Sequence, residues 1–393
     1  MREEPLARKT QITIIGGGIA GCTLAYALAR RGISDAVILE RKELASESSG
    51  ANFASVMATM LPLRPALLPL YARTLDALPL LSEELGRDIE YRTPRINAIT
   101  DEARETAQQY IDDFQRLGYG DDFRMIGQRE MNDIEPSMIL PPCGILDERG
   151  GQVNPLYLTT GFGDKARELG VRVYENTEVL DIKVANNHVR SVVTSRGNIE
   201  TDYVVNACGA WGAKIGAMVG LNVPIETLKC QVIVTEVLPE RYIHSGSITP
   251  IAYLMTDMDQ TDRQMHCFDL YKQMKRGELL LGLTEEPGND KWVTFEAMES
   301  LARHSIKIIP KIKEQRVHIV SSYSNLYAVT PDRHAMLGPV DGLHGFIMDC
   351  GYNDYGIGTG YGAAQLLADL IIREEKAFPI EELRFSRFGR YEG

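Results

Sequence analysis

The sequence lacks the clustered ligands of metal and redox centres. None of its six cysteines lies within three residues of another, so the spacings of zinc fingers, ferredoxins and CxxC redox motifs are absent. The seven histidines form no HxxxH pair. We therefore expect no metal site, and six reduced cysteines that pack as small apolar side chains.

Basic charge and long apolar runs are also scarce. The chain carries 42 Lys and Arg against 54 Asp and Glu, a net charge of −12, which argues against a surface that neutralises nucleic-acid phosphates. No run approaches the roughly 18 apolar residues of a membrane span, and the first residues lack the apolar core of a secretory signal. The expectation is a cytoplasmic protein that neither spans a membrane nor binds nucleic acid.

Glycine is the residue present in excess, at 35 of 393 residues, above the usual ~7%. Its first cluster directly follows Gln11–Ile15, a β-branched run that predicts a buried strand. Gly16, Gly18 and Gly21 there satisfy GxGxxG, and the next residues, Cys22–Arg31, are patterned as a helix. In such a turn the glycines let the backbone approach a pyrophosphate, while the helix N-terminus attracts its negative charge.

A second predicted strand, Ala36–Leu39, ends in Glu40, about twenty residues beyond the last glycine of the motif. A carboxylate at the tip of this strand can accept hydrogen bonds from an adenosine ribose. Strand, glycine turn, helix, strand and acid together predict a dinucleotide site, although they do not distinguish NAD from FAD. The residues predicted to hold the dinucleotide here are Gly16, Gly18, Ile19, Ala20, Gly21, Glu40 and Arg41.

The segment from residue 44 to residue 55 bears on which dinucleotide is bound. It is rich in small residues and resembles a loop of the D-amino-acid oxidase (DAO) superfamily of FAD enzymes, which includes glycine oxidase, sarcosine oxidase and amino-acid dehydrogenase β-subunits. In these enzymes the loop lies along the pyrophosphate and the flavin. Ser49 and Asn52 match it, Ser48 lies beside them, and Ala54 stands where the family commonly has glycine.

Later segments resemble the same family in the same order. Tyr203–Trp211 is similar to a strand that ends in an Ala/Gly turn against FAD. Residues 330–358, followed by a predicted helix over Tyr361–Ile372, are similar to a segment that aims a helix N-terminus at the flavin pyrimidine. The resemblance implies FAD as the cofactor, and it adds these predicted cofactor-binding residues: Val179, Ala207, Gly209, Trp211, Gly338, Gly351, Gly356, Ile357 and Gly358.

The resemblance also implies the fold class. We expect an α/β protein with a Rossmann-like FAD-binding domain of the glutathione-reductase type and an inserted, mostly antiparallel β-sheet substrate domain. Because unrelated segments separate the cofactor motifs, each domain is expected to be discontinuous. The predicted pieces are 8–86, 150–223 and 325–393 for the FAD-binding domain, and 87–149 and 224–324 for the substrate domain.

For function, the resemblance implies oxidation of the C–N bond of a small amine or amino acid by hydride transfer to flavin N5, which gives an imine that hydrolyses. Glycine-oxidase-like members place an Arg for the substrate carboxylate where this chain has Asp354. Either Asp354 attracts a cationic substrate group, or it is a solvated or helix-capping acid. The candidate catalytic or anchoring residues are Tyr271, Lys272, Arg333, Tyr352, Asp354 and Tyr355.

The expected electron acceptor is O₂ or a partner electron-transfer subunit. Sarcosine-oxidase-like members carry an O₂-promoting lysine in the second strand of the sheet above the flavin, and the comparable Gly277–Gly282 has none. That absence favours a dehydrogenase, either the catalytic β-subunit of a hetero-oligomer or a homo-oligomer. The alternatives left open are a 2-hydroxy-acid or polyol dehydrogenase of the same fold, an electron-transfer or structural FAD subunit and, more distantly, an NAD-dependent dehydrogenase.

Overall fold

The structure, a computed structural model, describes residues 5–56, 64–250, 265–375 and 378–392. Its strands, in chain order, are β1 (Lys9–Ile15), β2 (Ala36–Leu39), β3 (Ser55–Val56), β4 (Arg95–Ile99), β5 (Phe123–Gly127), β6 (Cys143–Asp147), β7 (Gly151–Gln152), β8 (Arg172–Tyr174), β9 (Val179–Ala185), β10 (His188–Thr194), β11 (Gly197–Asn206), β12 (Glu226–Val237), β13 (Ser247–Thr249), β14 (His266–Gln273), β15 (Glu278–Pro287), β16 (Ile319–Val329), β17 (Met336–Pro339) and β18 (Phe346–Cys350). The helices are α1 (Ile19–Arg30), α2 (Leu68–Glu84), α3 (Arg104–Arg116), α4 (Gln128–Ile134), α5 (Pro155–Glu168), α6 (Gly212–Ala217), α7 (Phe295–Ile308), α8 (Pro310–Glu314) and α9 (Gly356–Ile372).

One sheet has the strand order β17–β18–β11–β1–β2–β8, and β9 and β10 extend it from β11 as an antiparallel ribbon. β1 lies between β2 and β11 and pairs in parallel with both. Its Ile12 and Ile14 are fully buried, which is typical of a central parallel strand covered on both faces. Because β1, β2 and β11 run in parallel, their carboxyl ends meet at one edge, where ligands of such sheets bind.

A second sheet, which we term the roof sheet, has the order β16–β12–β15–β14–β13–β4–β6–β5. Its pairs are antiparallel except for β13 with β4. One face packs against α7 and includes Ile233 and Leu281 in its core. The other face carries Val232 and Leu280, which pack against Phe53 from the loop that follows β2. The predicted fold class, an α/β Rossmann-like domain with a mostly antiparallel inserted sheet, is confirmed.

The two sheets alternate along the chain. The first takes its strands from residues 9–39, 172–206 and 336–350, and the roof sheet takes its strands from residues 95–147 and 226–329. The predicted domain limits follow this alternation but stay a prediction, and the limit between residues 324 and 325 falls inside β16. No helix within the described ranges is long and apolar enough to cross a bilayer.

The last helix begins earlier than predicted, at Gly356 instead of Tyr361. Tyr355 O accepts the backbone N–H groups of Gly358 and Thr359 at 3.1 and 3.0 Å, so the glycine-rich run is already helical. The glycines serve close packing, since a Cβ on Gly358 would lie 2.3 Å from the ring of Tyr71 on α2. The N-terminus of α9 therefore lies one turn nearer to the first sheet than the sequence pattern indicates.

Candidate active site

The glycine turn between β1 and α1 closes against the neighbouring strands. The Gly16 N–H donates to Leu39 O at 2.9 Å, and Gly16 has a φ of +112°. A Cβ on Gly16 would lie 2.5 Å from Ala207 O, and a Cβ on Gly21 would lie 2.0 Å from Gly16 O. Both positions therefore exclude any side chain, because backbone already occupies the space and the Gly16 conformation favours glycine.

Glu40 lies at the carboxyl end of β2, beside this turn. Its Oε2 accepts the Gly17 N–H at 2.9 Å, and its Oε1 accepts the Lys42 N–H at 2.8 Å. Two backbone donors thus fix the carboxylate at the edge of a cavity that it helps to line. Each carboxylate oxygen can accept more than one hydrogen bond, so Glu40 can also accept from the hydroxyls of a ribose.

Ser49 holds the start of α1. Its Oγ accepts the Ile19 N–H at 2.9 Å, and a Cβ on Gly18 would lie 2.9 Å from the same oxygen. The loop that carries Ser49 is held by Asn52, whose Nδ2 donates to Ser48 O at 2.7 Å and to Ser49 O at 3.1 Å. The amide nitrogen of Asn52 is therefore used within the loop, and small side chains line the cavity here.

Ala54 stands at the position where the resemblance implies glycine. It has a φ of +52°, in the left-handed region that costs an L-residue roughly 1–2 kcal/mol. The loop must turn sharply here to bring Phe53 under the roof sheet, where Phe53 packs against Val232 and Leu280. Ala54 keeps that turn while retaining a methyl group that lines the cavity.

A cavity of about 250 Å³ lies between the carboxyl edge of the first sheet and the roof sheet. One end is bounded by Val179 and Trp211, and the Arg41 guanidinium lies 4.0 Å from the centroid of the Trp211 ring. The other end is bounded by Cys230 and Tyr327 of the roof sheet. The predicted site residues that line the cavity are Gly16, Gly18, Ile19, Ala20, Glu40, Arg41, Ser48, Ser49, Asn52, Ala54, Val179, Ala207, Gly209, Trp211, Tyr352, Asp354, Gly356 and Ile357.

Some predicted cofactor contacts need correction. The predicted glycines that do not line the cavity are Gly21, Gly338, Gly351 and Gly358. Gly338 and Gly351 adopt φ values of +96° and +72°, and a Cβ on Gly338 would lie 2.6 Å from the Phe378 side chain. These glycines shape turns and close packing behind the cavity, so the structure gives no support to direct contacts between them and a cofactor.

The residues present fit a flavin dinucleotide. The glycine turn leaves room where side chains would stand, and the first turns of α1 and α9 carry backbone N–H groups without helical partners. Gly356 and Ile357 of α9 line the cavity beside Asp349. Asp349 Oδ2 is buried and has no hydrogen-bond partner among the described residues, so a hydroxyl donor on a bound group would satisfy it. Burial raises the pKa of Asp349 to about 7, although the hydrogen bond from Tyr352 opposes the rise.

Alternation along the roof strands decides which side chains reach the cavity. On β14, Leu270 lines the cavity, whereas Tyr271 lies in the core on the opposite face and donates its hydroxyl to Asp269 Oδ1 at 2.9 Å. The prediction that Tyr271 anchors substrate is therefore wrong. A register shift between Phe268 and Tyr271 sets this orientation, and no local sequence signal marks it.

Lys272 lies on the cavity face of β14 but is fully buried, with 0% of its surface exposed. Its Nζ donates to Val153 O at 3.3 Å and lies 5.2 Å from the centroid of the Phe53 ring. Burial lowers the pKa of Lys272 to about 7. Phe53 lines the cavity and Lys272 does not, so the structure gives no support to the predicted direct contact of Lys272 with substrate.

The four other predicted residues gather where α9 begins. Tyr352 and Asp354 line the cavity, whereas Tyr355 is buried beneath them with its ring centroid 5.6 Å from the guanidinium of Arg64. Asp354 keeps an exposed surface, and the protein packed around it raises its pKa, while hydrogen bonds and the nearby positive charges of Arg333 and Arg64 oppose the rise. Arg333 does not line the cavity and forms no ion pair within the described part of the chain.

Four residues that shape the site escaped the sequence analysis, namely Phe53, Arg64, Glu285 and Asp349. Asp349 had a usable signal, because it lies at the carboxyl end of a parallel strand, the edge where such sheets bind ligands. Glu285 had none, since neither its strand register nor its burial is encoded locally. No group of three or more His, Cys, Asp and Glu in the described ranges is arranged to hold a metal ion.

Comparison with known proteins agrees with this geometry. The family model for DAO, FAD-dependent oxidoreductase, matches residues 11–370. Rat dimethylglycine dehydrogenase is 23% identical over 401 residues, which cover 98% of this chain and 45% of that protein. Subunit HcnC of hydrogen cyanide synthase from Pseudomonas aeruginosa is 25% identical over 425 residues, covering 97% of each chain.

Among solved structures, that of L-proline dehydrogenase from P. horikoshii superimposes with a TM-score of 0.85 and 25% identity, covering 98% of this chain and all of the other. The chain spans about half the length of the dimethylglycine dehydrogenases that it matches. The likeness to these relatives extends over both sheets.

Proposed function

Because this chain belongs to the DAO family of FAD-dependent oxidoreductases, we propose that it oxidises the carbon–nitrogen bond of a small amine or amino acid. Two of the similar proteins are named for dimethylglycine and L-proline, and both compounds are amino acids. The chain matches only part of the first of these relatives, so the substrate is carried over as a class and not as a compound.

The observation that carries the proposal is a single cavity shared by the glycine turn and the roof sheet. Gly16 and Glu40 line one part of it, and Leu270, Leu283 and Tyr327 of the roof sheet line another. A small molecule under the roof sheet would therefore lie in the same enclosed space as the cofactor. Such proximity is the main requirement for direct electron transfer between two bound molecules.

Side chains in and near this cavity are proposed to bind the substrate and to exclude water from it. Bound FAD supplies the two-electron acceptor for the C–N bond. Phe53, Leu270 and Leu283 exclude water from the reacting carbon and, by desolvation, favour the neutral form of the substrate amine. Arg333 does not line the cavity but has no ion pair in the described ranges, so it stays a candidate to hold a substrate carboxylate.

The acceptor of the electrons is proposed to be a partner subunit, with O₂ as the alternative. HcnC is by its name one subunit of a larger enzyme, and the second strand of the cavity face, β15, carries no lysine. The chain would then act as the catalytic subunit of a hetero-oligomer, whereas a homo-oligomer is expected if O₂ is the acceptor.

Anaerobic bleaching of the flavin absorbance tests the proposal. FAD-loaded protein is mixed with a panel of amines, amino acids, 2-hydroxy acids and polyols, and the loss of absorbance near the flavin maximum is followed. We expect bleaching by at least one amine or amino acid. Bleaching by hydroxy acids or polyols alone would overturn the proposal in favour of C–O oxidation, and no bleaching by any compound would overturn it in favour of a subunit without a substrate site.

Reoxidation separates the two acceptors. The bleached protein is exposed to O₂ or to an artificial dye. Rapid recovery with the dye and slow recovery with O₂ supports the dehydrogenase, whereas rapid recovery with O₂ supports an oxidase.

A further inference from the structure

The cavity face of the roof sheet is largely apolar but carries one acid, Glu285. On β15 it lies two residues beyond Leu283 and directly opposite Cys230 of β12. Leu283 and Cys230 both line the cavity. Because residues two apart on a strand, and residues directly opposite across an antiparallel pair, share a face, the Glu285 side chain points to the cavity side.

Glu285 is 9% exposed and forms no hydrogen bond or ion pair within the described ranges. Its neighbour Glu286 provides the contrast, since it lies on the opposite face and accepts from Gln231 Nε2 at 2.7 Å and from Lys229 Nζ at 3.1 Å. A buried carboxylate without a partner costs free energy that a cation would recover. Glu286 therefore has hydrogen-bond and ion-pair partners, whereas Glu285, on the cavity side, has none within the described ranges.

A second acid faces the same place. Asp354 lines the cavity, and its charge is close enough to contribute to the titration of Glu285. Burial first, and the Asp354 charge second, raise the pKa of Glu285 to about 8, while Arg333 opposes the rise. Above about pH 8 the buried Glu285 and the solvent-exposed Asp354 are both carboxylates and repel each other, and a bound cation relieves that repulsion.

No arginine forms an ion pair with either acid within the described ranges, although Arg64 and Arg333 are near enough to lower the pKa of Asp354. Arg64 Nη1 donates to Asp332 O and Arg333 O, each at 3.2 Å, and its Nε is buried without a hydrogen-bond partner. Arg333 approaches neither acid within ion-pair distance. His266, opposite Glu285 on β14, is exposed to solvent.

We infer that the substrate carries a second, cationic group, a guanidinium or an ammonium separate from the amine that is oxidised, and that Glu285 and Asp354 bind it. This inference rests on the proposed C–N oxidation and names the substrate class. A guanidinium suits the site best, since its planar fork can donate to two carboxylates at once. The reacting nitrogen then lies deeper, against the apolar residues, while the cationic group stays between the two acids.

Binding of such a cation is coupled to ionisation of Glu285. The free cavity holds Glu285 mostly protonated at pH 7, because its pKa is about 8, and a bound cation favours the carboxylate form. Cation binding at pH 7 therefore releases a proton, and the affinity for the cation rises through pH 8 and levels about one pH unit above it. The other charged or titratable groups that face Glu285 are Asp354, Arg333, His266 and the Cys230 thiol.

The test uses two probes of the same shape, n-butylguanidinium and the neutral n-butylurea. Each is titrated into FAD-loaded wild-type protein and into the variants Glu285→Gln and Glu286→Gln, and binding is followed by the change in the visible spectrum of the flavin. We expect butylguanidinium to bind wild type at least about tenfold more tightly than butylurea. Glu285→Gln is expected to remove that preference, and Glu286→Gln to change it less than about twofold.

The inference is overturned if butylurea binds wild type as tightly as butylguanidinium, or if Glu285→Gln and Glu286→Gln behave alike. Equal FAD content in both variants establishes that the comparison is between folded proteins, and Glu285→Asp, which keeps the charge, should retain part of the preference. Failure of the inference is distinct from failure of the proposed function. Bleaching by neutral amino acids as efficient as by diamines or arginine would leave C–N oxidation intact and remove the second cation.

Discussion

The two ends of the cavity are built in different ways. At the cofactor end the decisive groups are backbone atoms, such as Ala207 O, which lies 2.5 Å from where a Gly16 Cβ would be. At the roof end they are side chains, and Tyr271 and Lys272 point to opposite faces although they are adjacent. The difference is that the cofactor end is specified by residues close together in sequence, whereas the roof end depends on how distant strands align.

This contrast also separates what each end can tolerate. A turn that excludes every side chain admits glycine alone, so the same pattern recurs wherever a dinucleotide is bound. A strand face exchanges one side chain for another without loss of fold, since only burial and neighbours constrain it. Substitutions at the two ends should therefore differ in kind, and the following predictions run from the largest expected effect to the smallest.

Gly16→Ala should have the largest effect. The added methyl group would meet Ala207 O at 2.5 Å, and the φ of +112° is strained for alanine. We expect a loss of roughly 3 kcal/mol or more in the free energy of unfolding, together with loss of bound FAD. Thermal unfolding and the ratio of flavin to protein absorbance measure both.

The matched control is Gly32→Ala, just after α1. Gly32 also has a positive φ, +87°, but a Cβ there would meet nothing within 4 Å. It should lose only about 1 kcal/mol and keep its FAD. If the two variants retained the same fraction of FAD, the positive φ that they share would explain the result. The close approach of Ala207 O to Gly16 would then have no role in holding the cofactor.

Lys272→Met tests the roof end through the pH dependence of the free energy of unfolding. The pKa of Lys272 is about 7 in the folded protein against 10.5 for a free lysine side chain, so the fold disfavours the protonated form that the unfolded chain retains. The stability of wild type should therefore rise with pH across this window, by about 2 kcal/mol between pH 7 and pH 9 at 1.36 kcal/mol per unit. Lys272→Met should lack this rise, as urea unfolding at several pH values would show.

Lys275→Met is the control for that experiment, because Lys275 is exposed and paired with Asp88 on the surface. Its pKa is raised by that hydrogen bond, so it does not titrate between pH 7 and pH 9. If Lys272→Met retained the wild-type pH dependence, Lys272 would not lose its proton between pH 7 and pH 9. The conclusion that burial lowers the pKa of Lys272 would then be wrong.

The same contrast explains how much the sequence could predict. The boundaries from β1 to β2 are predicted to within three residues, because the strand, glycines, helix and acid are all local patterns. The predicted start of α9 is too late, because glycine disfavours a helix locally and the close packing of Gly358 against Tyr71 of α2 is a contact between distant parts of the chain. Tyr271 was assigned to the wrong face, because a register shift within the β14–β15 pair is set by distant contacts.

Tyr271→Phe, at the roof end, is expected to change both stability and the rate of flavin bleaching only slightly. The Tyr271 hydroxyl donates to Asp269 Oδ1, which also lies 3.3 Å from His304 Nδ1. Because Asp269 keeps the second partner, loss of the hydroxyl should lower the free energy of unfolding by about 1 kcal/mol. The rate of flavin bleaching should stay within about twofold of wild type. Tyr352→Phe, at a tyrosine that lines the cavity, should instead alter the flavin spectrum, and the reverse result would restore Tyr271 as a site residue.

Arg41→Lys is expected to have the smallest effect, and it asks whether the cofactor end depends on side chains at all. Arg41 stacks 4.0 Å from the Trp211 ring centroid and pairs with Glu47 at 2.9 Å, and lysine keeps the charge but loses the planar stacking. An exposed cation–π contact is worth about 0.5–1 kcal/mol, so FAD dissociation, followed by dialysis, should increase by about two- to fivefold. A loss as large as that of Gly16→Ala would mean that side chains, and not only backbone, hold the cofactor, and the contrast between the two ends would then fail.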